Sequence, residues 1–547
     1  MNELLEIKKL SVDFLTDKEN FIAVNKVSFD IQNNEIFGLV GESGSGKSTI
    51  VKSILKILPA PGIISNGEIL FNGNDILPLD EEEMSELRWK NISIVKQKAL
   101  NSLNPLLKIK KQIVDTLISH QFIEQFEIDN KCNELIDMVG IDRTYLNSYP
   151  HELSGGMRQR VVIAIALALN PKLIIMDEPT TALDVVIEKD IILKILELKE
   201  KLGFSILFIT HDLELILEFA DRVGVMKNGY LTDLDSSNII KKGGNHKYTS
   251  KLINSIPKLN KTIESKESVS ENPIIQISNL TKIYQKQSKF FSSEGLKALN
   301  DISFNLYENE IIGLVGESGS GKSTIAKILT KLIEYEKGSV KFNNVELSKL
   351  KGRNKTLSFR KNIQMVFQDP FASLNSFHTV YNHLSRSILI HMPLSGYSKK
   401  EKKEVIRQEI LKKLGEVGLS PAESFINKYP HEMSGGERQR ISLARALIAN
   451  PKVIIADEPT SMLDMSIRME ILNLFKKLNQ DKNISIIFIT HDIASACTLS
   501  DRIIILKNGK IVEKGKPEKI INHPKHEYSK LLISSCQPGW FTKNSIA

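Results

Sequence analysis

The chain has 547 residues, of which 41% are hydrophobic and 25% are charged, and these fractions are typical of globular proteins. A chain of this length is too long for one hydrophobic core and predicts two domains of roughly 250 residues each. We expect no transmembrane helix, because no apolar run approaches the ~18 residues that a membrane span requires, and we expect no secretory signal at the N-terminus.

The charge pattern argues against a nucleic-acid-binding protein, and the cysteine spacing argues against a zinc finger or a disulfide framework. The net charge of +8 arises from 73 Lys and Arg residues against 65 Asp and Glu residues. Such an excess would suit nucleic acid or an anionic membrane face. Because no basic stripe is interleaved with aromatic residues, we interpret the excess as a lysine-rich solvated surface and expect no nucleic-acid partner. The wide spacing of Cys132, Cys497 and Cys536 argues against a zinc finger or disulfide framework and predicts a reducing compartment.

The first motif in chain order is a glycine-rich loop between an apolar run at 36–40 and a helix-like stretch at 49–58. Residues 41–48 read G-E-S-G-S-G-K-S and fit the phosphate-binding pattern G-x-x-x-x-G-K-[ST]. The glycines let backbone N–H groups turn toward phosphate, and the helix N-terminus adds positive potential. We predict that Lys47 reaches the β- and γ-phosphates of a nucleoside triphosphate and that Ser48 is a magnesium ligand. The full predicted set is Gly41, Ser43, Gly44, Gly46, Lys47, Ser48 and Thr49.

A glutamine and a Ser-Gly-Gly segment come next in the chain. Gln97 follows a short apolar strand at 92–95 and is a candidate for contact with magnesium and the attacking water. We predict a mostly helical subdomain at about 98–152. After it, Ser154, Gly155 and Gly156 open a helix. The serine can cap that helix, or its hydroxyl and the exposed N–H groups can bind an anion.

Two strand-end motifs complete the first half. An apolar strand ends in Asp177-Glu178, which places two carboxylates at the carboxyl edge of a parallel sheet, where ligands bind. We predict that Asp177 holds magnesium, directly or through water, and that Glu178 is the general base for the attacking water. His211 follows an apolar run at 205–209, and we assign it to holding the γ-phosphate and orienting the glutamate and water.

The second half repeats all of these motifs in the same order, so the chain is a tandem duplication. The octapeptide is unchanged at 316–323, and the later motifs return as Gln368, Ser434-Gly435-Gly436, Asp457-Glu458 and His491. Glu458 is the second predicted base, and His491 takes the role of His211. The predicted phosphate set of this half is Gly316, Ser318, Gly319, Gly321, Lys322, Ser323 and Thr324, and its magnesium set is Ser323, Gln368 and Asp457.

The predicted domain boundaries follow from the repeat. Alternating strand and helix signals indicate a parallel sheet covered by helices in each half. We place the first domain at 1–256, a polar linker at 257–273 and the second domain at 274–547. The net length change between the halves lies between the phosphate loop and Ser-Gly-Gly, so we expect a second helical subdomain at about 369–432.

In this order the motifs resemble the nucleotide-binding domains of ABC ATPases, twice and over nearly the whole chain. The resemblance implies an α/β fold of two tandem P-loop NTPase domains, each with a RecA-like parallel-sheet core, an antiparallel β subdomain and a helical subdomain. In that family two domains associate head to tail. Each ATP, with Mg²⁺, then lies between the phosphate loop of one domain and the Ser-Gly-Gly segment of the other.

The resemblance also implies how two composite sites are assembled within this one chain. One site would combine the first-half motifs with Ser434 and Gly436, and the other would combine the second-half motifs with Ser154 and Gly156. Both halves retain the glutamate base and the histidine, so we expect two hydrolytic sites.

Four further residues acquire roles through this resemblance. Phe14 and Tyr284 lie where an aromatic ring stacks on adenine in the family, although Phe14 is a less typical residue there. Asp184 and Asp464 match the aspartate that communicates between the two sites.

Finer features resemble the dipeptide/oligopeptide importer ATPases, a group that also includes nickel and glutathione importers. They are the loop at 368–375, which reads Q-D-P-F-A-S-L-N, and the segments at 246–252 and 526–532 after each ATPase core. The resemblance implies a peripheral protein on the cytoplasmic face of the membrane. Its partners would be two integral-membrane permease subunits and an extracytoplasmic substrate-binding protein.

Two departures from that group affect the interpretation. Gln97-Lys98-Ala99-Leu100 replaces the usual acidic-proline sequence, which bears on how the first half docks on its permease. The cysteine cluster of some relatives' tails is missing, so we expect no iron–sulfur centre.

Several alternatives remain at the level of sequence. Import of dipeptides or oligopeptides is the favoured function, and nickel or another metal chelate and glutathione are alternative cargoes. Twin-cassette ATPases that act on ribosomes form another class, but they typically carry a long charged helical linker. DNA-repair and chromosome ATPases would need zinc-binding cysteines or long coiled coils, and the sequence shows neither.

Overall fold

A computed structural model describes residues 3–15, 20–96, 102–120, 127–180, 183–256, 272–284, 295–369, 373–461, 463–537 and 539–541. The chain divides into two compact units, one of Met1–Ile256 with Gln537–Ala547 and the other of Pro257–Cys536. The sequence-based boundaries assign 274–547 to the second domain and stay a prediction. In the division by contacts, the described residues 537 and 539–541 group with the first unit. Most of the predicted linker lies outside the described residues.

The described part of the first unit contains ten strands in two sheets. They are β1 (Glu3–Phe14), β2 (Phe21–Gln32), β3 (Ile36–Gly41), β4 (Gly62–Phe71), β5 (Asn74–Asp75), β6 (Ile92–Val95), β7 (Leu173–Asp177), β8 (Ser205–Thr210), β9 (Arg222–Lys227) and β10 (Tyr230–Ser236). Strands β2-β1-β4-β5 form an antiparallel sheet. Strands β10-β9-β3-β8-β7-β6 form the core sheet, in which only β10 is antiparallel to its neighbour.

Helices cover this core sheet and form the segment between β6 and β7. They are α1 (Lys47–Ile54), α2 (Glu81–Leu87), α3 (Ile109–Ser119), α4 (Ile128–Met138), α5 (Gly155–Leu167), α6 (Val185–Leu202), α7 (Leu213–Ile216), α8 (Ser237–Lys241) and α9 (Lys247–Asn254). Helices α3 and α4 and two 3₁₀ turns lie where the helical subdomain was predicted. None of the described helices in either unit combines the length and the apolar content that a membrane span requires.

The second unit repeats this plan with its own two sheets. Its strands are β11 (Pro273–Tyr284), β12 (Leu296–Tyr307), β13 (Ile311–Gly316), β14 (Lys337–Phe342), β15 (Val345–Glu346), β16 (Ile363–Val366), β17 (Val453–Asp457), β18 (Ser485–Thr490), β19 (Arg502–Lys507) and β20 (Lys510–Gly515). The antiparallel sheet has the order β12-β11-β14-β15, and the core sheet has the order β16-β17-β18-β13-β19-β20. The predicted α/β fold, with a mainly parallel core sheet and an antiparallel sheet in each half, is confirmed.

The helices of the second unit correspond closely to those of the first. They are α10 (Lys322–Leu329), α11 (Arg353–Asn362), α12 (Val380–His391), α13 (Lys399–Glu416), α14 (Glu423–Ile426), α15 (Gly435–Leu447), α16 (Met465–Lys482), α17 (Ile493–Leu499), α18 (Pro517–Asn522) and α19 (Glu527–Ser535). Helices α12 to α14 form the helical segment of this unit.

The core strands are apolar along their whole length because both faces of the sheet are covered. All six residues of β3 and all six of β8 are buried. Alternate residues point to opposite faces, so Phe37 and Leu39 join the cluster under the antiparallel sheet, whereas Ile36 and Val40 join the cluster under α5 and α6. The second unit has the same two clusters. Each core sheet is therefore packed on both faces, and the ends of its strands are held in place.

A charged cluster ties the start of β3 to β9 and β2 in the first unit. Arg222 donates to both carboxylate oxygens of Asp30 at 3.0 Å and lies 3.4 Å from Glu35 Oε1, and Glu35 is only 6% exposed. Burial raises the pKa of Glu35, whereas hydrogen bonding from Arg222 lowers the pKa of Asp30. The guanidinium is thus the counter-charge that makes a buried carboxylate tolerable.

Replacing Arg222 by Met should destabilise the first unit by about 2 kcal/mol, because Glu35 would be left buried without its cation. The full chain contains two Trp residues, Trp89 and Trp540, and both pack in the first unit. Urea unfolding followed by tryptophan fluorescence therefore reports on this unit. Arg143→Met is the matched control, because its partner Asp137 is exposed, and it should leave the midpoint unchanged. Equal midpoints for the two variants would contradict the assignment.

Candidate functional site

The glycine-rich loop joins β3 to α1 through a backbone conformation that needs glycine. Gly46 has φ +103°, and a Cβ there would lie 2.6 Å from the carbonyl oxygen of Ala23. Gly321 has the same φ, and its Cβ would lie 2.6 Å from the carbonyl oxygen of Ala298. Because the obstructing atoms belong to the backbone, a side chain cannot be accommodated by a rotamer change.

The lysine of each loop is held over the loop itself. Lys47 Nζ donates to the carbonyl oxygens of Gly41 at 2.7 Å and Glu42 at 2.9 Å, and the side chain is buried. Lys322 Nζ makes the corresponding bonds to Gly316 at 2.6 Å and Glu317 at 2.8 Å. In each unit a buried ammonium group therefore lies beside the N-terminus of a helix, where anions are favoured.

A serine and an aspartate meet next to each lysine. Ser48 Oγ donates to Asp177 Oδ1 at 3.4 Å, and Ser323 Oγ donates to Asp457 Oδ1 at 3.1 Å. Burial raises the pKa of both Asp177 and Asp457, so a cation at these oxygens would favour the ionised carboxylates. Hydroxyl and carboxylate oxygens are the donors that Mg²⁺ prefers. The chemistry of these residues fits a magnesium ion, and their role as its ligands stays a prediction.

The two candidate bases share a left-handed backbone conformation. Glu178 has φ +48° and Glu458 has φ +45°, which is uncommon for a residue with a side chain. Each conformation is fixed because the glutamate N–H donates to the next strand, to Ile209 at 2.9 Å and to Ile489 at 2.9 Å. Strain of this kind persists only where the surrounding structure fixes the residue, and it is most frequent at functional sites. The strained backbone holds the glutamate side chain in one direction.

Each candidate histidine lies beside its glutamate. His211 Nδ1 is 3.2 Å from Glu178 Oε1, and His491 Nδ1 is 3.4 Å from Glu458 Oε2. The loop that carries His211 is held by Asp212, whose N–H donates to Thr210 Oγ1 at 2.9 Å and whose side chain caps α7. Thr490 and Asp492 do the same in the second unit. These threonines and aspartates were not among the predicted site residues, although their repetition beside each histidine was a usable signal in the sequence.

The glutamine is described in one unit only. Gln368 Nε2 donates to Glu458 Oε2 at 2.8 Å, so glutamine, glutamate and histidine form one group. Burial raises the pKa of Glu458, but a hydrogen bond and charge from His491, the charge of Lys322 and a hydrogen bond from Gln368 together hold that pKa below its ordinary value. Glu458 is therefore ionised at neutral pH and can accept a proton. Gln97, with the rest of its loop to Leu100, lies outside the described residues, as do the residues at 370–372.

One Ser-Gly-Gly segment begins α5 in the first unit, and the other begins α15 in the second unit. Ser154 Oγ accepts from the N–H of Met157 at 3.3 Å, and Ser434 forms a reciprocal capping box with Glu437. A Cβ on Gly156 would lie 2.7 Å from Ile187 Cγ2 on α6. The capping interpretation thus has direct contacts, and anion binding at these helix N-termini stays a prediction.

The remaining predicted residues differ in their surroundings. Phe14 is half-buried against the core cluster under the antiparallel sheet, whereas Tyr284 is 40% exposed and lies under Lys282 Nζ at 5.4 Å. Asp184 and Asp464 are the N-cap residues of α6 and α16. The adenine-stacking and communication roles stay predictions.

The loop geometry predicts that Gly46→Ala combined with Gly321→Ala weakens nucleotide binding at least ~10-fold, because both loops must distort. The measurement is equilibrium binding of a fluorescent ATP analogue to the full chain. Gly73→Ala combined with Gly352→Ala is the matched control, because these glycines also have positive φ but open space around the Cβ position. Unchanged affinity in the first pair would show that the loops do not bind phosphate.

Comparisons with known proteins agree with this geometry. The ABC transporter family model matches residues 24–181 and 299–461. A second model, the C-terminal region of oligopeptide/dipeptide transporters, matches residues 234–286 and 512–539.

Three relatives match over nearly the whole chain. The peptidoglycan transport ATP-binding protein YejF of Agrobacterium fabrum is 38% identical, with 97% of this chain and 96% of the relative covered. The glutathione import ATP-binding protein GsiA of Escherichia coli O157:H7 is 36% identical, with 97% and 89% covered. An uncharacterised ABC transporter ATP-binding protein, YejF of Escherichia coli K12, is 38% identical, with 97% and 99% covered. The chain therefore belongs to the ABC transporter family and is an ATP-binding ATPase subunit with two tandem cassettes.

Proposed function

We propose that this ATPase drives the import of a peptide-type substrate through separate membrane subunits. The observation that carries the proposal is the repeated Lys–Ser–Asp and Glu–His geometry in both cassettes, together with the match of each cassette's end to the oligopeptide/dipeptide transporter region. The presence of a glutamate–histidine pair in each cassette favours hydrolysis in both.

The residues of each cassette divide the chemistry among them. Lys47 and the N–H groups of its loop bind the phosphates, and Glu178 accepts a proton from the attacking water. His211 orients Glu178 and contacts the γ-phosphate. Ser48 and Asp177 would hold magnesium, with Gln97 in addition, and the ion when bound neutralises phosphate charge. The equivalent residues do the same in the second cassette, where Gln368 already bonds to Glu458.

The two sites are proposed to be composite. Ser154 and Ser434 each begin a 13-residue helix, and the N-terminus of such a helix favours an anion. Each cassette would thus complete the other's site through its serine hydroxyl and backbone N–H groups. Closure of the cassettes on two ATP molecules would then be the step that moves the membrane subunits.

The proposed cargo is a dipeptide or oligopeptide. Two of the relatives named above are described by function, one as a peptidoglycan transport protein and the other as a glutathione import protein. Glutathione, nickel or another metal chelate would use the same ATPase mechanism and are the alternatives. Action on ribosomes is disfavoured, because both cassettes carry the oligopeptide/dipeptide transporter region.

The proposed partners are two integral-membrane permease subunits and an extracytoplasmic substrate-binding protein, with this chain on the cytoplasmic face. The described residues just before α3 and just before α12 each include an apolar side chain that is almost wholly exposed, namely Leu106 at 82% and Phe377 at 89%. Both residues follow an asparagine whose side chain accepts from their N–H, Asn104 at 3.0 Å and Asn375 at 2.9 Å. We call Leu106 and Phe377 the apolar tips of the two cassettes. Two equivalent exposed apolar residues, one on each cassette, suit contact with two similar membrane subunits.

Glu178→Gln combined with Glu458→Gln should leave ATP binding intact and lower turnover by about 10²–10⁴-fold, because the general base is lost from both sites. The measurement is steady-state ATPase activity beside equilibrium ATP binding. Glu308→Gln, an exposed glutamate away from the loops, is the control and should keep full activity. Full activity in each single active-site variant would refute the assignment of the bases.

Leu106→Asp combined with Phe377→Asp should release the chain from its membrane subunits, because a charge replaces the apolar contact on each cassette. We expect at least ~10-fold less co-purification with those subunits and a matching loss of dipeptide and oligopeptide uptake by cells. Leu202→Asp, at another partly exposed leucine, is the control. Undiminished co-purification would exclude these tips as the contact. Uptake of glutathione or nickel instead of peptides would select the alternative cargo.

A further inference from the structure

The C-terminal aromatic residues pack into the first cassette. Phe541 is 3% exposed and belongs to the large hydrophobic cluster of that unit. Its ring meets Phe219 edge to face at 5.4 Å, and Phe219 in turn meets Phe208 of β8 at 5.2 Å. Trp540 packs on the same cluster. Trp540 and Phe541 are therefore part of the core of the first cassette.

A buried ion pair lies beneath the two rings. Lys189 Nζ is 3.2 Å from Glu218 Oε1, and the two side chains are only 6% and 8% exposed. The same ammonium lies 5.9 Å from the Trp540 ring centre and 5.3 Å from the Phe541 ring centre. A desolvated lysine gains from aromatic faces as well as from its carboxylate. The rings thus complete the surroundings of a charge that water cannot reach.

The ion pair joins two elements that lead to the ATP site. Lys189 lies in α6, which begins directly after Asp184. Glu218 and Phe219 follow α7, and α7 begins two residues after His211. A contact that fixes Glu218 and Phe219 therefore limits the movement of the segment that carries His211.

The second cassette provides an internal comparison. The positions equivalent to Lys189, Glu218 and Phe219 hold Met469, Thr498 and Leu499. Met469 and Leu499 pack in the hydrophobic cluster there, and the Thr498 hydroxyl bonds to the carbonyl of Ala494 at 2.8 Å. The same fold thus forms without the charge pair or the ring, so these three residues are not required by the cassette fold itself.

We propose that the described C-terminal segment, residues 539–541, is a docking element for the first cassette alone and positions the His211 segment for ATP hydrolysis there. Trp540 and Phe541 act through α7 and are positioning residues. The first ATP site then depends on the C-terminus, and the second does not. This consequence for hydrolysis rests on the proposed function, whereas the docking itself does not.

Docking can be tested without any activity measurement. Trp89→Phe leaves Trp540 as the single tryptophan of the full chain. Replacing Lys189 by Met and Glu218 by Thr introduces the residues of the second cassette and leaves no isolated buried charge. This pair should raise the acrylamide quenching constant of Trp540 at least ~3-fold, because the cation–π contacts are lost. An unchanged quenching constant after the Lys189 and Glu218 substitutions would overturn the proposal. So would a quenching constant of Trp540 that already equals the value for the unfolded chain before those substitutions.

A matched control is available on the same helix. Lys194 and Glu197 form an exposed pair at 2.8 Å, and Lys194→Met with Glu197→Thr should leave quenching unchanged. Circular dichroism of each variant shows whether the chain is folded. If the Lys194 and Glu197 variant increased quenching equally, the effect would be general loosening of α6, and the proposal would fail.

The functional consequence is tested by hydrolysis of pre-bound ATP in single-turnover experiments. In a Glu458→Gln background only the first site hydrolyses ATP, and Trp540→Ala with Phe541→Ala should slow that hydrolysis at least ~5-fold. In a Glu178→Gln background only the second site is active, and the same pair should slow hydrolysis less than ~2-fold. ATP affinity should not change, and Trp540→Phe with Phe541 intact should restore the rate. Equal slowing in both backgrounds, or a loss that appears only as weaker ATP binding, would overturn the positioning role. Undiminished turnover in the double glutamine variant would instead refute the proposed function, and the quenching result would stand.

Discussion

The parallel register of three strands sets the geometry of each candidate ATP site. In the first cassette Val40 of β3 pairs with Thr210 of β8, and Asp177 of β7 pairs with Ile209 of β8. Gly41 is the last residue of β3, whereas Glu178 and His211 follow the last residues of β7 and β8. The three residues therefore lie at nearly the same level of the sheet edge. Because both faces of the strands are buried in apolar clusters, a shift of register would expose apolar side chains. The core thus fixes where the reactive groups meet.

The candidate site was largely predictable, because most of its parts are local motifs. Short segments at strand ends carry Lys47 beside its loop, the Ser48–Asp177 pair and the Glu178–His211 pair. The sequence predicted that these residues share one site, and their roles in it stay predictions. Open α/β sheets place ligands at those ends whatever the surrounding sequence. The alternation of apolar strands and helices likewise predicted the fold of each half.

Other features could not be predicted, because they depend on contacts between distant residues. The left-handed conformation of Glu178 and Glu458 arises from a hydrogen bond to a neighbouring strand, and no local pattern such as Asn-Gly marks it. The packing of Phe541 on Phe219 joins residues from opposite ends of the repeat. Phe14 could be placed near adenine by resemblance only, and its burial against the core follows from the antiparallel sheet.

The two cassettes share a fold but differ in the surroundings of equivalent groups. Ser434 donates its hydroxyl to Glu437 at 3.0 Å, whereas the corresponding position after Ser154 is Met157, which has no carboxylate. Lys189 and Glu218 are buried and paired in the first cassette, whereas the second has apolar and hydroxyl side chains at these positions. A duplicated chain can therefore keep its reactive residues and still differentiate its halves through the residues around them.

The position of Phe541 in the first hydrophobic cluster also affects when, during synthesis, the first cassette can complete its core. Synthesis proceeds from the N-terminus, and domains generally fold as they emerge. The cassette that is translated first nevertheless receives one of its buried rings from Phe541, which follows the second cassette in the chain. On the ribosome it must therefore persist with Phe219, Lys189 and Glu218 uncovered until the second cassette and Phe541 have been made. Its maturation is a late event even though its synthesis is early.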